Sequence, residues 1–124
     1  MKFVYVGIGG CIGALLRYII GGFMHEIFNK TWVPVGTFTV NMVGCFFIGL
    51  FMGLAESRQL LTPEVRLLIV TGLLGSLTTF STFAYESSGL LRDGEVFFAL
   101  SNIGLHVIMG LVAVYGGHML SQVL

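Results

Sequence analysis

Six small or hydroxyl-bearing residues, Gly75, Ser76, Thr78, Thr79, Ser81 and Thr82, crowd into eight consecutive positions of an otherwise apolar run. Phe80 and Phe83 sit among them, three apart, on one helical face. The chemistry open to such a stretch is binding. Hydroxyls donate hydrogen bonds, and a phenyl edge is electropositive. Backbone oxygens released from a helix attract cations, and a new helix start offers free amides and a positive dipole end to an anion. Elsewhere, Asn41 carries an NH₂ group that can donate two bonds. Asn102 and His106, four apart, share a face, with Gly110 one turn on. Arg17 and Glu86 are charges set deep in apolar runs. There is no nucleophile–base–orienter set, metal-ligand cluster or phosphate loop, which argues against catalysis. Uncharged donors at depth suit a small, strongly hydrated anion.

These residues need elements to position them, and composition indicates which. Of 124 residues, 56% are apolar and 10% charged, with formal net charge zero. That is a small integral membrane protein with no basic surface for nucleic acid. Four runs, 3–24, 36–56, 65–91 and 96–123, reach the roughly 20 residues that a bilayer crossing requires. They must be helical, because lipid satisfies no backbone groups and strand alternation is missing. Short polar connectors, 25–35, 57–64 and 92–95, join them into a single domain over 1–124. Thr62 reads as a helix N-cap with Pro63 at the first turn. Arg17 interrupts the first run and no small-x-small cleavage site follows cleanly, so the run reads as a retained span and not as a signal peptide. Cys11 and Cys45, without His or Cys at metal spacing, read as buried free thiols.

The third run is long, which suggests tilt or a break. Two readings of 75–79 are open: a continuous helix whose hydroxyls back-bond to carbonyls, or an interruption near mid-membrane, tolerated only against protein or a wet cavity. Arg17 either faces such a cavity or snorkels to the surface. Glu86 has Arg17 or a water-filled mouth as its expected partner. Asn102 and His106 serve either a helix–helix hydrogen bond or a polar stripe along a pore.

Four helices could hardly enclose a pore in one copy, so self-association is expected. The GxxxG pairs Gly9/Gly13 and Gly49/Gly53 supply close-approach faces, between copies or within one. One side of the membrane carries Lys2, Arg58 and, at its boundary, Arg66; the other carries Lys30 and Arg92. So weak a positive-inside bias permits insertion both ways, and hence an antiparallel homodimer. A single orientation set by one or two charges is the other reading.

The segments GALLRY (13–18), GTFTVN (36–41) and GLLGSLTTFSTF (72–83) resemble the three signatures of the Fluc (CrcB) fluoride channel family, and the resemblance spans the whole chain. It implies an all-α membrane protein of four transmembrane helices with a broken third helix. The assembly implied is an antiparallel, dual-topology homodimer with two pores, exporting fluoride passively across the plasma or inner membrane. It implies a central structural sodium ion held by the backbone carbonyls of Gly75 and Thr78. Asn41, Phe80, Ser81, Thr82 and Phe83 match pore positions, Arg17 a vestibule arginine, and Glu86 an acid near one mouth. The family's polar track carries hydroxyls where this chain has Asn102, His106 and Gly110, and Gly110 has no side chain to donate. The rival reading is a small proton-coupled multidrug-type exporter, for which Glu86 is the one candidate carboxylate.

Overall fold

A computed structural model describes residues 1–58 and 61–124. The connector expected over 57–64 includes Gln59 and Leu60, which lie outside the described residues. The described chain is helical. Four helices are long and apolar enough to cross a membrane: Lys2–Ile27, Val35–Ser57, Pro63–Arg92 and Val96–Val123. At about 1.5 Å per residue, each exceeds the hydrocarbon thickness of about 30 Å. Helix α1 is Lys2–Ile27 and α2 is Val35–Arg58. The third span comprises α3 (Pro63–Arg66), a π-helical segment Leu67–Leu74, α4 (Gly75–Leu77) and α5 (Phe80–Arg92). The last span is α6, Val96–Val123. As expected, Thr62 caps α3, its side chain accepting from the Val65 amide at 3.3 Å, with Pro63 in the first turn.

The interruption is real, and it lies at Thr78–Thr79. Both residues are extended, with φ/ψ of −79°/154° and −147°/112°. Gly75, inside the expected interval, is helical at −62°/−32°. Glycine is therefore not the breaker. Two β-branched residues, which fit a helix less well than an extended chain, occupy the gap.

The GxxxG pairs pack within the chain. A Cβ at Gly9 would run into the Leu68 carbonyl, and one at Gly13 into the Leu73 carbonyl. The first pair thus seats α1 on the π-helical segment. A Cβ at Gly49 would strike the Val114 carbonyl, and one at Gly53 the Ser121 hydroxyl, so the second pair seats α2 on α6. Of the two readings of these motifs, packing within one chain is the one seen at all four glycines. The cysteines also differ from expectation. Both are free, but Cys11 is exposed and Cys45 half-buried. An apolar neighbourhood in a membrane chain marks lipid as readily as protein interior.

Val40, Leu74 and Leu77 form a small core at the crossing of α2 with the third span. Gly94, at φ +80°, turns the chain from α5 into α6 in a conformation that side chains resist. The loop between α1 and α2 is pinned to α6 by Trp32 stacking on Phe98, with centroids 4.7 Å apart.

Candidate functional site

The break is held open by one side chain. Asn41, nine-tenths buried on α2, accepts from the Thr79 amide through Oδ1 at 2.8 Å and donates from Nδ2 to the Thr79 carbonyl at 3.2 Å. A buried peptide stripped of its helical partners costs about 1–3 kcal/mol per stranded group. Asn41 matches both main-chain groups of Thr79. Thr79 then starts the next helix, its Oγ1 accepting from the Thr82 amide at 3.2 Å. The same hydroxyl lies 3.0 Å from Thr82 Oγ1 and 3.3 Å from Ser81 Oγ.

Two of the carbonyls at the break, those of Gly75 and Thr78, lose their helical donors to these bonds. In a continuous helix the Gly75 carbonyl would receive the Thr79 amide, which goes to Asn41 instead. The Thr78 carbonyl would receive the Thr82 amide, which goes to Thr79 Oγ1. Two neutral, electron-rich oxygens flanking a break suit a hard cation.

Two cavities meet at Thr79. A mouth of about 770 Å³ is lined by Arg17, His25, Trp32, Thr37, Thr82 and Glu86 among others. Glu86 Oε1 accepts from Thr37 Oγ1 at 2.7 Å, while Oε2 has no partner. The observed partner of Glu86 is Thr37, neither of the two expected; Arg17 lines the same cavity without a hydrogen bond to it, and Oε2 is buried. A groove of about 310 Å³ lies on the other side of the break, lined by Asn41, Cys45, Gly75, Thr78, Phe80, Phe83 and His106 among others. Phe80 and Phe83 lie together, centroids 5.6 Å apart, yet Phe80 is 79% exposed while Phe83 packs at 4.4 Å on the His106 ring.

The stripe on α6 exists as one buried face: Asn102, His106 and Gly110. Asn102 donates from Nδ2 to Ser87 Oγ at 3.0 Å, a helix–helix bond between α6 and α5. Its Oδ1 is buried without a partner. His106 Nδ1 lies 3.0 Å from the Asn102 carbonyl. At Gly110 the vacant side-chain space is approached by Cys45 Sγ and the Met42 methyl.

The predicted residues therefore divide. Arg17, Thr82 and Glu86 face the mouth; Asn41, Gly75, Thr78, Phe80, Phe83 and His106 face the groove; Ser81 and Asn102 line neither. Thr37, Thr79 and Ser87 carry hydrogen bonds that sequence reasoning did not assign. Thr37 lies one turn before Asn41 and Ser87 one turn after Phe83, a spacing that would have placed them on the working faces.

Known proteins are similar to this chain in sequence across nearly their whole length. The family model described as CrcB-like protein, Camphor Resistance (CrcB), matches residues 4–118. A protein of Maridesulfovibrio salexigens named fluoride-specific ion channel FluC is 44% identical over 123 residues, 99% of this chain and 97% of its own. Proteins of the same name from Geotalea uraniireducens and Methanococcus aeolicus are 40% and 42% identical, covering 98% and 97% of this chain and 97% and 94% of theirs. The interrupted third span with its Asn41 clamp lies wholly inside the matched region, and the chain belongs to the CrcB family of multi-pass membrane proteins.

Proposed function

We propose that this protein is a fluoride-selective ion channel, not an enzyme, that lets fluoride leave the cell passively across the plasma or inner membrane. The single observation that carries the reading is the break at Thr78–Thr79, which sets neutral donors and phenyl edges in a groove at mid-membrane. The names of the relatives support fluoride as the ion. Fluoride sheds part of its hydration there and meets the unused Nδ2 proton of Asn41 and the edges of Phe80 and Phe83, with the Thr82 hydroxyl on the mouth side of the break and the Ser81 hydroxyl 3.3 Å from that of Thr79. A full positive charge in the groove would hold the ion too tightly for throughput. Arg17 draws anions into the mouth. The exporter reading has no support in the relatives' names, and Glu86 serves as a hydrogen-bond acceptor at the mouth.

The assembly proposed is an antiparallel dual-topology homodimer with two pores, formed from one domain over 1–124. The groove and the four-fifths-exposed Phe80 are open on one copy, a state that a second copy would end. The Gly75 and Thr78 carbonyls fit a central sodium ion, because both have lost their helical donors. Bound there, sodium would supply a fixed positive charge that neutralises peptide dipoles at the break.

Liposome efflux read with a fluoride electrode tests the channel. Purified protein is expected to release fluoride in the presence of valinomycin and to leave chloride inside, and Phe83→Ile or Phe80→Ile to cut that release sharply while the protein stays folded. Release no faster than from protein-free liposomes, or equal release of chloride, would overturn it. Exchanging sodium for N-methylglucamine should lower the flux if the ion sits at the break.

A further inference from the structure

Helix α2 carries three neutral donors one turn apart: the Thr37 hydroxyl, the Asn41 amide and the Cys45 thiol. They pass from the mouth into the groove. Thr37 lines the mouth and donates to Glu86, while Asn41 and Cys45 line the groove. Asn41 is nine-tenths buried, and its clamp on Thr79 uses one of two Nδ2 protons, leaving the other unpartnered. The remaining polar side chains of the groove are engaged. Thr78 Oγ1 donates to the Leu74 carbonyl at 3.1 Å, and Thr79 Oγ1 donates to Thr82 Oγ1 at 3.0 Å. On α6, His106 Nδ1 lies 3.0 Å from the Asn102 carbonyl, which only accepts, so the single proton of the neutral ring is held there. Gly110, one turn on, has no side chain. A Cβ built there would lie 3.6 Å from Cys45 Sγ and 3.7 Å from the Met42 methyl. Sulfur from α2 thus borders the space that α6 leaves empty.

Resting on the reading of the groove as a fluoride path, we propose that Cys45 is a specificity-determining residue of that path: its S–H receives the ion after Asn41, in place of the side chain that position 110 lacks. The thiol is half-buried on the groove wall, and its proton swings about the Cβ–Sγ bond toward whatever acceptor passes. A thiol is ordinarily protonated at neutral pH, so it brings no charge to this depth. It is also a weak donor. An ion handed from the Asn41 amide to a weaker partner is held long enough to move forward and loosely enough to leave. Without the thiol, fluoride leaving Asn41 on this side meets the hydrocarbon and thioether of Met42 and Ile48.

Valinomycin-dependent fluoride efflux from liposomes tests this. Cys45→Ala is expected to cut the flux about fivefold, the rate equivalent of one ordinary hydrogen bond. Cys45→Val, which returns bulk without a donor, should stay as low, and Cys45→Ser should run at least as fast as the wild type. Contacts of 3.6 and 3.7 Å leave room for a small side chain at 110. Combining Cys45→Ala with Gly110→Ser should therefore recover the flux, and combining it with Gly110→Ala should not. Wild-type flux in Cys45→Ala or Cys45→Val, or a Cys45→Ser protein as slow as Cys45→Ala, overturns the proposal and leaves the channel reading standing. No fluoride flux through the wild-type protein overturns both. Silver nitrate supplies a readout with the groove unaltered, since the chain has two cysteines. In Cys11→Ser, silver ion should bond the Cys45 sulfur, release its proton to water and stop efflux, and Cys45→Ser should be silver-resistant. Silver-resistant flux in Cys11→Ser, or silver block that persists in Cys45→Ser, removes the thiol from the path.

Discussion

The mouth and the groove are separated by one peptide unit, yet they are built from different chemistry. The mouth gathers the ionisable side chains Arg17, His25 and Glu86 around about 770 Å³. The groove, less than half that size, is walled by an amide, hydroxyls, sulfur and rings, with His106 and Cys45 as its titratable members. Charge is cheap where water reaches and costly at membrane depth. A permeation site can therefore attract an ion with full charges only at the entrance, and must complete its desolvation with dipoles. Thr79 belongs to both cavities, and the bonds it makes keep the two chemistries apart.

The sharpest way to break this division is to release Thr79. In Asn41→Ala the Thr79 amide and carbonyl lose their partners, at about 1–3 kcal/mol for each group left unsatisfied. The unfolding midpoint in detergent should fall clearly. Fluoride flux should fall at least about tenfold, since displacing the rings by only about 1.4 kcal/mol in barrier height already does that. Thr79→Val comes next. It keeps both backbone bonds to Asn41 but removes the cap on α5, at a cost of about 1 kcal/mol, so circular dichroism melts should shift less than for Asn41→Ala. Trp32→Ala tests the mouth alone. Losing the stack on Phe98 removes about 0.5–1.5 kcal/mol of pair energy, and the loop between α1 and α2 should become cleavable by protease while transport through the groove persists. Glu86→Gln should have the smallest effect. The amide oxygen still accepts from Thr37, and removing a negative charge from an anion's entrance should raise flux about twofold at low ionic strength, a gain that disappears in high salt as screening sets in.

Much of this architecture was legible in the residues. Apolar run lengths gave the four crossings, and the Thr62-Pro63 start gave the third helix its origin. The hydroxyl cluster gave the interruption, because such residues have little reason to accumulate in a lipid-facing helix. What the sequence did not yield was direction. Within the expected interval 75–79 the break falls on the threonine pair and not on the glycine, because conformational permissiveness at Gly75 is not used, whereas the Asn41 bonds fix Thr79. The glycine pairs read equally well as faces for a second copy or for a neighbouring helix, and only the positions of Leu68, Leu73 and Val114 decide for the neighbouring helix. Ser87 went unnoticed because one serine in an apolar run has no partner until α6 places Asn102 against it.

Asn41 grips the main chain of residue 79 and touches nothing of its side chain in doing so. Over evolutionary drift the two positions should therefore behave unequally. Residue 79 tolerates serine or asparagine, either of which can begin a helix without bringing a charge to this depth. Position 41 has no such latitude, for aspartate lacks the donor and glutamine overreaches by a carbon.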